Sequence, residues 1–145
     1  MGSEMCIRDR VYTNIIMEHS ISTKNKHNLI EKDREEHGHN PSCGDDITLE
    51  IKFDGNIIKD LSYVGYGCAI SQGSASIMID LLKGKSKEEA IKLIDIFLKM
   101  VNGEDVEEAE LNMLGDAKYL KSITKMPARI KCATLAWETM RRMIE

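Results

Sequence analysis

The sequence predicts an α+β domain in which a small antiparallel sheet packs against several helices. Residues 47–53 alternate apolar and polar side chains without a break, which is the period of a strand with one buried face. The Asp54-Gly55 pair that follows is typical of a two-residue hairpin turn. From residue 71 onward, apolar residues recur every three or four positions, as in amphipathic helices. Strands that precede a run of helices indicate α+β rather than alternating α/β architecture.

The first part of the chain predicts a short helix, a loop and a hairpin. Apolar residues at helical spacing predict the helix over residues 11–19. Residues 20–42 are polar and mixed in charge, so we expect a loop that ends in a turn at Asn40-Pro41. The returning strand of the hairpin is predicted over residues 57–64, and the sequence allows a third short strand around residues 63–69.

Helices make up the rest of the predicted domain. The first covers residues 71–82. Ser86 starts a capping-box pattern and predicts the beginning of a clean amphipathic helix, which Asn102-Gly103 ends. Residues 104–125 predict one or two short helices. Pro127 suits the first turn of a last helix, because proline lacks the amide proton that this turn leaves unpaired in any case.

Composition and charge narrow the function classes. Hydrophobic residues make up 42% of the 145 residues and charged residues 30%, a mixture typical of one soluble globular domain. The net charge of −4 and the aromatic content of 5% argue against nucleic-acid binding, which uses basic and aromatic surfaces. No apolar run approaches the roughly 20 residues of a membrane span. We therefore expect a cytoplasmic protein that binds neither nucleic acid nor membrane.

The first ten residues are set apart from the domain. The start Met1-Gly2-Ser3 is typical of a tag or another non-native leader over residues 1–10, and Cys6 lies within it. We predict a single domain over residues 11–145.

Three cysteines remain, and each lies at the end of a predicted element. Cys43 precedes the first strand, Cys68 lies between the sheet and the first helix after it, and Cys132 lies in the early turns of the last helix. Three is an awkward number for disulfides, whereas zinc takes four ligands and binds thiolate sulfur strongly. Asp45, two residues after Cys43, can supply a fourth ligand if the turn is tight. The alternatives are that a cysteine such as Cys132 is simply core and that Asp45 is a turn residue.

Two histidines near Cys43 are further candidates for metal ligands. His37 and His39 have suitable ring nitrogens, but histidines in a polar loop are more often solvated, and we favour that interpretation. Asp46 also lies close in sequence, and its position just before the first strand favours a charged residue at the strand edge.

Four segments of the sequence together resemble a known family. They are the residues 11–19 (VYTNIIMEH), 40–45 (NPSCGD), 65–76 (GYGCAISQGSAS) and 127–135 (PARIKCATL). In this combination the chain resembles the SufU-type proteins of iron–sulfur cluster assembly, within the wider IscU/NifU-like group. Lys131 stands where the IscU scaffold type carries a histidine before the third cysteine, and the segment between Cys68 and Cys132 is longer than in that type.

The resemblance implies a fold, a metal site and an activity. It implies an IscU/NifU-like fold and a zinc ion held by Cys43, Asp45, Cys68 and Cys132. It also implies a sulfurtransferase activity, in which Cys43 accepts persulfide sulfur from a SufS-type cysteine desulfurase and passes it to downstream proteins of iron–sulfur assembly.

Two other functions use the same residues and stay open at this point. One is a scaffold on which a transient Fe–S cluster is assembled on the same cysteines. The other is a structural zinc domain without transfer chemistry. Arg129 and Lys131, beside Cys132, are candidates to offset the charge of the site or to stabilise a persulfide anion, and the alternative for both is a solvated helix face.

Overall fold

The computed structural model describes residues 14–41 and 44–145. Its described part begins in a helix, α1, over residues 14–21. Three strands follow: β1 (Arg34–Asn40), β2 (Asp45–Asp54) and β3 (Ile57–Tyr66). The helices come next in the chain: α2 (Ala69–Leu82), α3 (Lys87–Val101), α4 (Glu108–Met113), a 3₁₀ segment (Gly115–Lys125) and α5 (Pro127–Ile144). The predicted α+β class is thereby confirmed.

The three strands form one antiparallel sheet in the order β1-β2-β3. The inner face of β2 carries Ile47, Leu49 and Ile51, none of which is exposed to solvent. Thr48 and Lys52 of the other face are more accessible, as the period of two along a strand predicts, whereas Glu50 of that face is also buried. The prediction of the strand from this alternation was therefore correct.

The third strand of the sheet is not where the sequence placed it. Residues 63–69 do not form a separate short strand, because β3 runs without interruption to Tyr66. The third strand is β1, within the region predicted as a loop. Its inward-facing residues are Gly38 and Asn40, which are buried but not apolar, so the hydrophobic alternation that marks a strand is missing.

The hairpin turn lies one residue later than predicted. Asp54 still pairs with Ile57 across the sheet, so the two turn residues are Gly55 and Asn56 rather than Asp54 and Gly55. Gly55 has a φ of 61°, a conformation that glycine adopts at little cost.

The helical predictions are confirmed in their main features. The Ser86 side chain accepts a hydrogen bond from the Glu89 amide (3.2 Å) and caps α3. Pro127 occupies the first turn of α5. The two aromatic rings of Phe97 and Trp137 stack between α3 and α5, with centroids 3.8 Å apart. α5 also contacts α2 and β1, and together these contacts fix its position.

No helix within the described ranges is both long and apolar enough to cross a bilayer.

Tyr63 of β3 makes the free energy of unfolding depend on pH in the alkaline range. Its side chain is fully buried, and its hydroxyl has no hydrogen-bond partner among the described residues. Burial raises the pKa of Tyr63 to about 12, because the phenolate would lose its hydration. The unfolded chain releases this proton near pH 10, about the ordinary tyrosine value, whereas the folded chain still holds it. The free energy of unfolding must therefore fall as the pH rises from about 10 towards about 12.

We predict that Tyr63→Phe removes this part of the alkaline loss of stability and costs little at neutral pH, since it deletes a hydroxyl without a partner. Urea unfolding at about pH 8 and about pH 11, followed by Trp137 fluorescence, measures both effects. Tyr66→Phe is the matched control, because Tyr66 is 64% exposed. Equal alkaline losses in wild type and Tyr63→Phe would contradict the prediction.

Candidate metal centre

Three of the four predicted ligands converge in the structure. Asp45 begins β2, Cys68 is the N-cap residue of α2, and Cys132 lies in the second turn of α5. One ligand atom from each of them lies within 4.8 Å of the other two. Asp45 is 0% and Cys132 1% exposed, whereas Cys68 is half-buried, so the group is accessible from the Cys68 side. The fourth predicted ligand, Cys43, lies outside the described residues.

Local secondary structure explains how each side chain reaches this place. Asp45 has the same strand parity as Ile47, so its side chain points to the inner face of the sheet. The Cys68 Sγ accepts a hydrogen bond from the Ser71 amide (3.5 Å) and so satisfies one of the unpaired amides at the start of α2. Cys132 lies on the same stripe of α5 as Ala136, which faces the core.

The carboxylate of Asp45 is held by donors from two other elements. Its Oδ1 accepts hydrogen bonds from the Cys68 amide (2.9 Å) and from the Ser71 hydroxyl (3.0 Å). Its Oδ2 accepts a hydrogen bond from the Asn40 amide group (3.3 Å). Burying a charge without such partners would lower the free energy of unfolding by several kcal/mol. These hydrogen bonds also fix the orientation of the carboxylate.

Asn40 and Ser71 were not identified as site residues from the sequence. Asn40 is 5% exposed and donates from Nδ2 both to Asp45 and, at 3.7 Å, to the Sγ of Cys132. It therefore contacts two of the converging groups from the last position of β1. For Ser71 the sequence did contain a signal. Ser71 stands three residues after Cys68, the spacing at which an N-cap side chain contacts the start of its helix. Asn40 gave no comparable signal, because its strand was predicted as a loop.

The donor set fits a zinc ion. Zinc binds sulfur at about 2.3 Å and carboxylate oxygen at 2.0–2.2 Å, which in a tetrahedron separates ligand atoms by about 3.5–3.8 Å. The three atoms found within 4.8 Å need to move only slightly to reach that spacing. Three protein donors at one point leave room for a fourth ligand, which a tetrahedral ion requires.

The absence of a side chain at Gly67 shapes this site. A Cβ at this position would lie 2.3 Å from the Ser71 Oγ and 2.7 Å from the Asp45 Oδ1. The carbonyl of Gly67 accepts a hydrogen bond from Gln72 (2.8 Å), which holds the turn before Cys68 in place. Only glycine therefore lets the backbone approach the carboxylate this closely.

The remaining candidates are Arg129, Lys131, His37 and His39. Arg129 and Lys131 are exposed on the first two turns of α5, and their proposed roles at the site stay predictions. His37 and His39 are exposed as expected, but they belong to strand β1 rather than to a loop. Both are directed towards Asp46.

The chain is similar to several known proteins. Residues 11–133 match the family described as NifU-like N terminal domain. The zinc-dependent sulfurtransferase SufU of Bacillus subtilis is 39% identical, over 92% of this chain and 89% of that protein. The iron–sulfur cluster assembly scaffold protein IscU of Streptococcus pyogenes is 48% identical, over 73% of this chain and 65% of that protein.

A solved structure extends the likeness to three dimensions. It is described as an iron–sulfur cluster assembly scaffold protein for the SUF system, from Fervidobacterium islandicum. It superposes with a TM-score of 0.87 at 34% sequence identity, over 94% of this chain and 98% of that chain. A match of this extent shows that the two chains share one fold.

We predict that Gly67→Ala weakens metal binding, because the new methyl group displaces the Asp45 carboxylate or the Ser71 hydroxyl. We expect a loss of about 10–100-fold in zinc affinity, the range found when outer partners of ligands are disturbed. Competition with a chromophoric chelator measures this affinity.

Gly84→Ala is the control for a general loss of stability. Gly84 has a φ of 89° and open space around its Cβ direction, so the substitution strains the backbone far from the site. The expectation fails if Gly67→Ala binds zinc as tightly as the control does.

Proposed function

Because the chain belongs to the family of NifU-like N-terminal domains, we propose that it is a zinc-dependent sulfur acceptor in iron–sulfur cluster assembly. The observation that carries the proposal is the convergence of Asp45, Cys68 and Cys132 on one point of the structure. A relative with this breadth of match is named a zinc-dependent sulfurtransferase, and the donor set found here suits the metal in that name.

Four residues would hold the zinc ion in this proposal. They are Cys43, Asp45, Cys68 and Cys132. When bound, the ion keeps cysteine sulfur in the thiolate form at neutral pH, the form that acts as a nucleophile. The residues around the ligands supply the rest: Asn40 and Ser71 orient the Asp45 carboxylate, and the Cys68 amide fixes its distance from the N-terminus of α2.

The proposed transfer is a thiol–disulfide type of exchange. The thiolate sulfur of Cys43 attacks the outer sulfur of a cysteine persulfide on the partner enzyme. A new S–S bond forms on Cys43, and the bond between the outer sulfur and the enzyme's cysteine breaks. The enzyme's cysteine leaves as a thiolate, so no external oxidant or reductant is needed. The partner implied is a SufS-type cysteine desulfurase, and downstream assembly proteins receive the sulfur.

A scaffold function is the second candidate, because other relatives carry that name. Three thiols and a carboxylate can hold iron as well as zinc, and the matched proteins from Streptococcus pyogenes and Fervidobacterium islandicum are described as scaffolds. Lys131 favours sulfur transfer over this alternative. A lysine ammonium before Cys132 offers no ligand at neutral pH, whereas a histidine there would add an imidazole.

We predict that Cys43→Ala abolishes persulfide acceptance from a cysteine desulfurase. The variant lacks the attacking sulfur but keeps the described arrangement of Asp45, Cys68 and Cys132. The purified chain is incubated with the desulfurase and cysteine, and mass spectrometry measures the persulfide on the chain. Cys6→Ala is the matched control, and we expect it to accept sulfur normally.

Relay of sulfur by Cys43→Ala at the wild-type rate would refute the proposed role of Cys43. Anaerobic reconstitution of the wild-type chain with iron and sulfide tests the alternative function. A stable, transferable chromophoric cluster would favour the scaffold over the sulfur acceptor.

A further inference from the structure

A lysine that is not among the four predicted ligands lies close to the accessible side of the metal centre. The Nζ of Lys26 donates a hydrogen bond to the Oε1 of Gln72 (2.8 Å), and the Nε2 of Gln72 donates to the carbonyl of Gly67 (2.8 Å). Gly67 directly precedes Cys68, the half-buried member of the centre. Two hydrogen bonds and one amide group therefore place the Lys26 ammonium within about 8 Å of the Gly67 carbonyl oxygen.

The backbone that carries Lys26 is anchored on two sides, so the position of this lysine is defined. Lys26 forms a β-bridge with Tyr63, and the amide of Tyr63 donates a hydrogen bond to the carbonyl of Asn25 (3.0 Å). The Asn25 side chain is 1% exposed and donates to Ser76 and Asp80 of α2 (3.0 Å each). The segment thus contacts both the edge of the sheet and α2.

The charge of Lys26 is not neutralised by a carboxylate in the part of the chain that the structure describes. Its partly buried ammonium contacts the neutral amide of Gln72, whereas Lys24 forms an ion pair with Asp80 (3.3 Å). The first turn of α2 contains no acidic residue either. A cation that has lost part of its hydration without gaining a counterion leaves a positive potential around it. That potential extends to the turn before Cys68.

The metal centre of the proposed function has the opposite charge. Three thiolates and one carboxylate around a zinc ion give a net charge of about −2. Such a centre repels an approaching persulfide anion and also the thiolate that leaves in the transfer step. A separation of about 8 Å equals the Debye length at physiological ionic strength, so the charge of Lys26 is only partly screened at this range.

We propose that Lys26 attracts anionic sulfur to the thiol centre, namely the persulfide of the partner enzyme and the thiolate that leaves. Lys26 acts through its electrostatic potential and does not bind the metal, and Gln72 holds its ammonium beside the turn that carries Cys68. The part that concerns sulfur rests on the proposed function, whereas the positive potential at Cys68 does not.

Alkylation of Cys68 tests the potential directly. Iodoacetate and iodoacetamide alkylate thiolates by the same chemistry and are similar in size, but only iodoacetate is an anion. The full-length chain is treated with each reagent in the presence of a metal chelator, and peptide mass spectrometry measures the rate at Cys68. The ratio of the iodoacetate rate to the iodoacetamide rate reports the local potential, because changes in thiol acidity or access affect both reagents alike.

We expect Lys26→Gln to lower this ratio about threefold, since it removes the charge but keeps an amide donor for Gln72. Lys26→Arg keeps the charge and should keep the wild-type ratio. Lys24→Gln is the matched control, because it removes the same charge two residues away from a side chain that is 72% exposed and paired with Asp80. It should leave the ratio unchanged. In about 1 M salt, where the Debye length falls to about 3 Å, the effect of Lys26→Gln should disappear.

Persulfide acceptance from a cysteine desulfurase connects this potential with the proposed function. Lys26→Gln should accept sulfur more slowly than the wild-type chain, and Lys26→Arg should restore the rate. Three results would overturn the proposal: an unchanged alkylation ratio in Lys26→Gln, an equal fall of the ratio in Lys26→Arg or Lys24→Gln, or persulfide acceptance by Lys26→Gln at the wild-type rate. A wild-type chain that accepts no persulfide would instead refute the sulfur-acceptor proposal, and a lowered ratio in Lys26→Gln would then still support an anion-attracting charge at the centre.

Discussion

The buried carboxylate of Asp45 is the constraint on which the site depends. A carboxylate with no exposure to water is tolerated only where protein donors replace its hydration. Here those donors come from the end of β1, from the amide of Cys68 and from the first turn of α2. The need to satisfy one charge therefore brings the sheet and α2 together, and it places Cys68 beside Asp45.

The position of α5, which carries Cys132, is set by contacts in the core instead. Trp137 stacks on Phe97, and its indole nitrogen donates to Ser74 of α2 (2.8 Å). Ser74 in turn donates to the carbonyl of Ala133, the residue after Cys132 (2.6 Å). These contacts hold α5 against α2 and α3, so the Cys132 sulfur reaches the site from a helix whose position is fixed by aromatic stacking and buried hydrogen bonds. The rigid scaffold and the polar site are thus built from the same two helices.

The sequence allowed much of this arrangement to be predicted, and the exceptions have physical causes. Cys68 was correctly placed between sheet and helix, because hydrophobic periodicity changes from two to about 3.6 on either side of it. Strand β1 was not predicted from the sequence, because its close contact with α5 leaves little room for side chains on its inner face. A Cβ at Gly38 would lie 2.3 Å from the Thr139 hydroxyl, so the strand has a glycine there in place of an apolar signal.

The role of Asn40 was missed for the same reason as its strand. Its amide lies between Asp45 and Cys132, residues that are distant in sequence from one another. Only the antiparallel pairing of β1 with β2 shows that Asn40 lies opposite Asp45. Long-range pairing of this kind is set by tertiary structure and leaves no local pattern in a single sequence.

X-ray absorption spectroscopy at the zinc edge tests the proposed zinc ligand set most directly. With one equivalent of zinc bound, we predict three sulfur neighbours at about 2.3 Å and one oxygen at about 2.0–2.2 Å. The spectrum should lack the outer-shell scattering of imidazole. A site with histidine scattering, or one with fewer than three sulfur atoms, would contradict the assignment of Cys43, Asp45, Cys68 and Cys132.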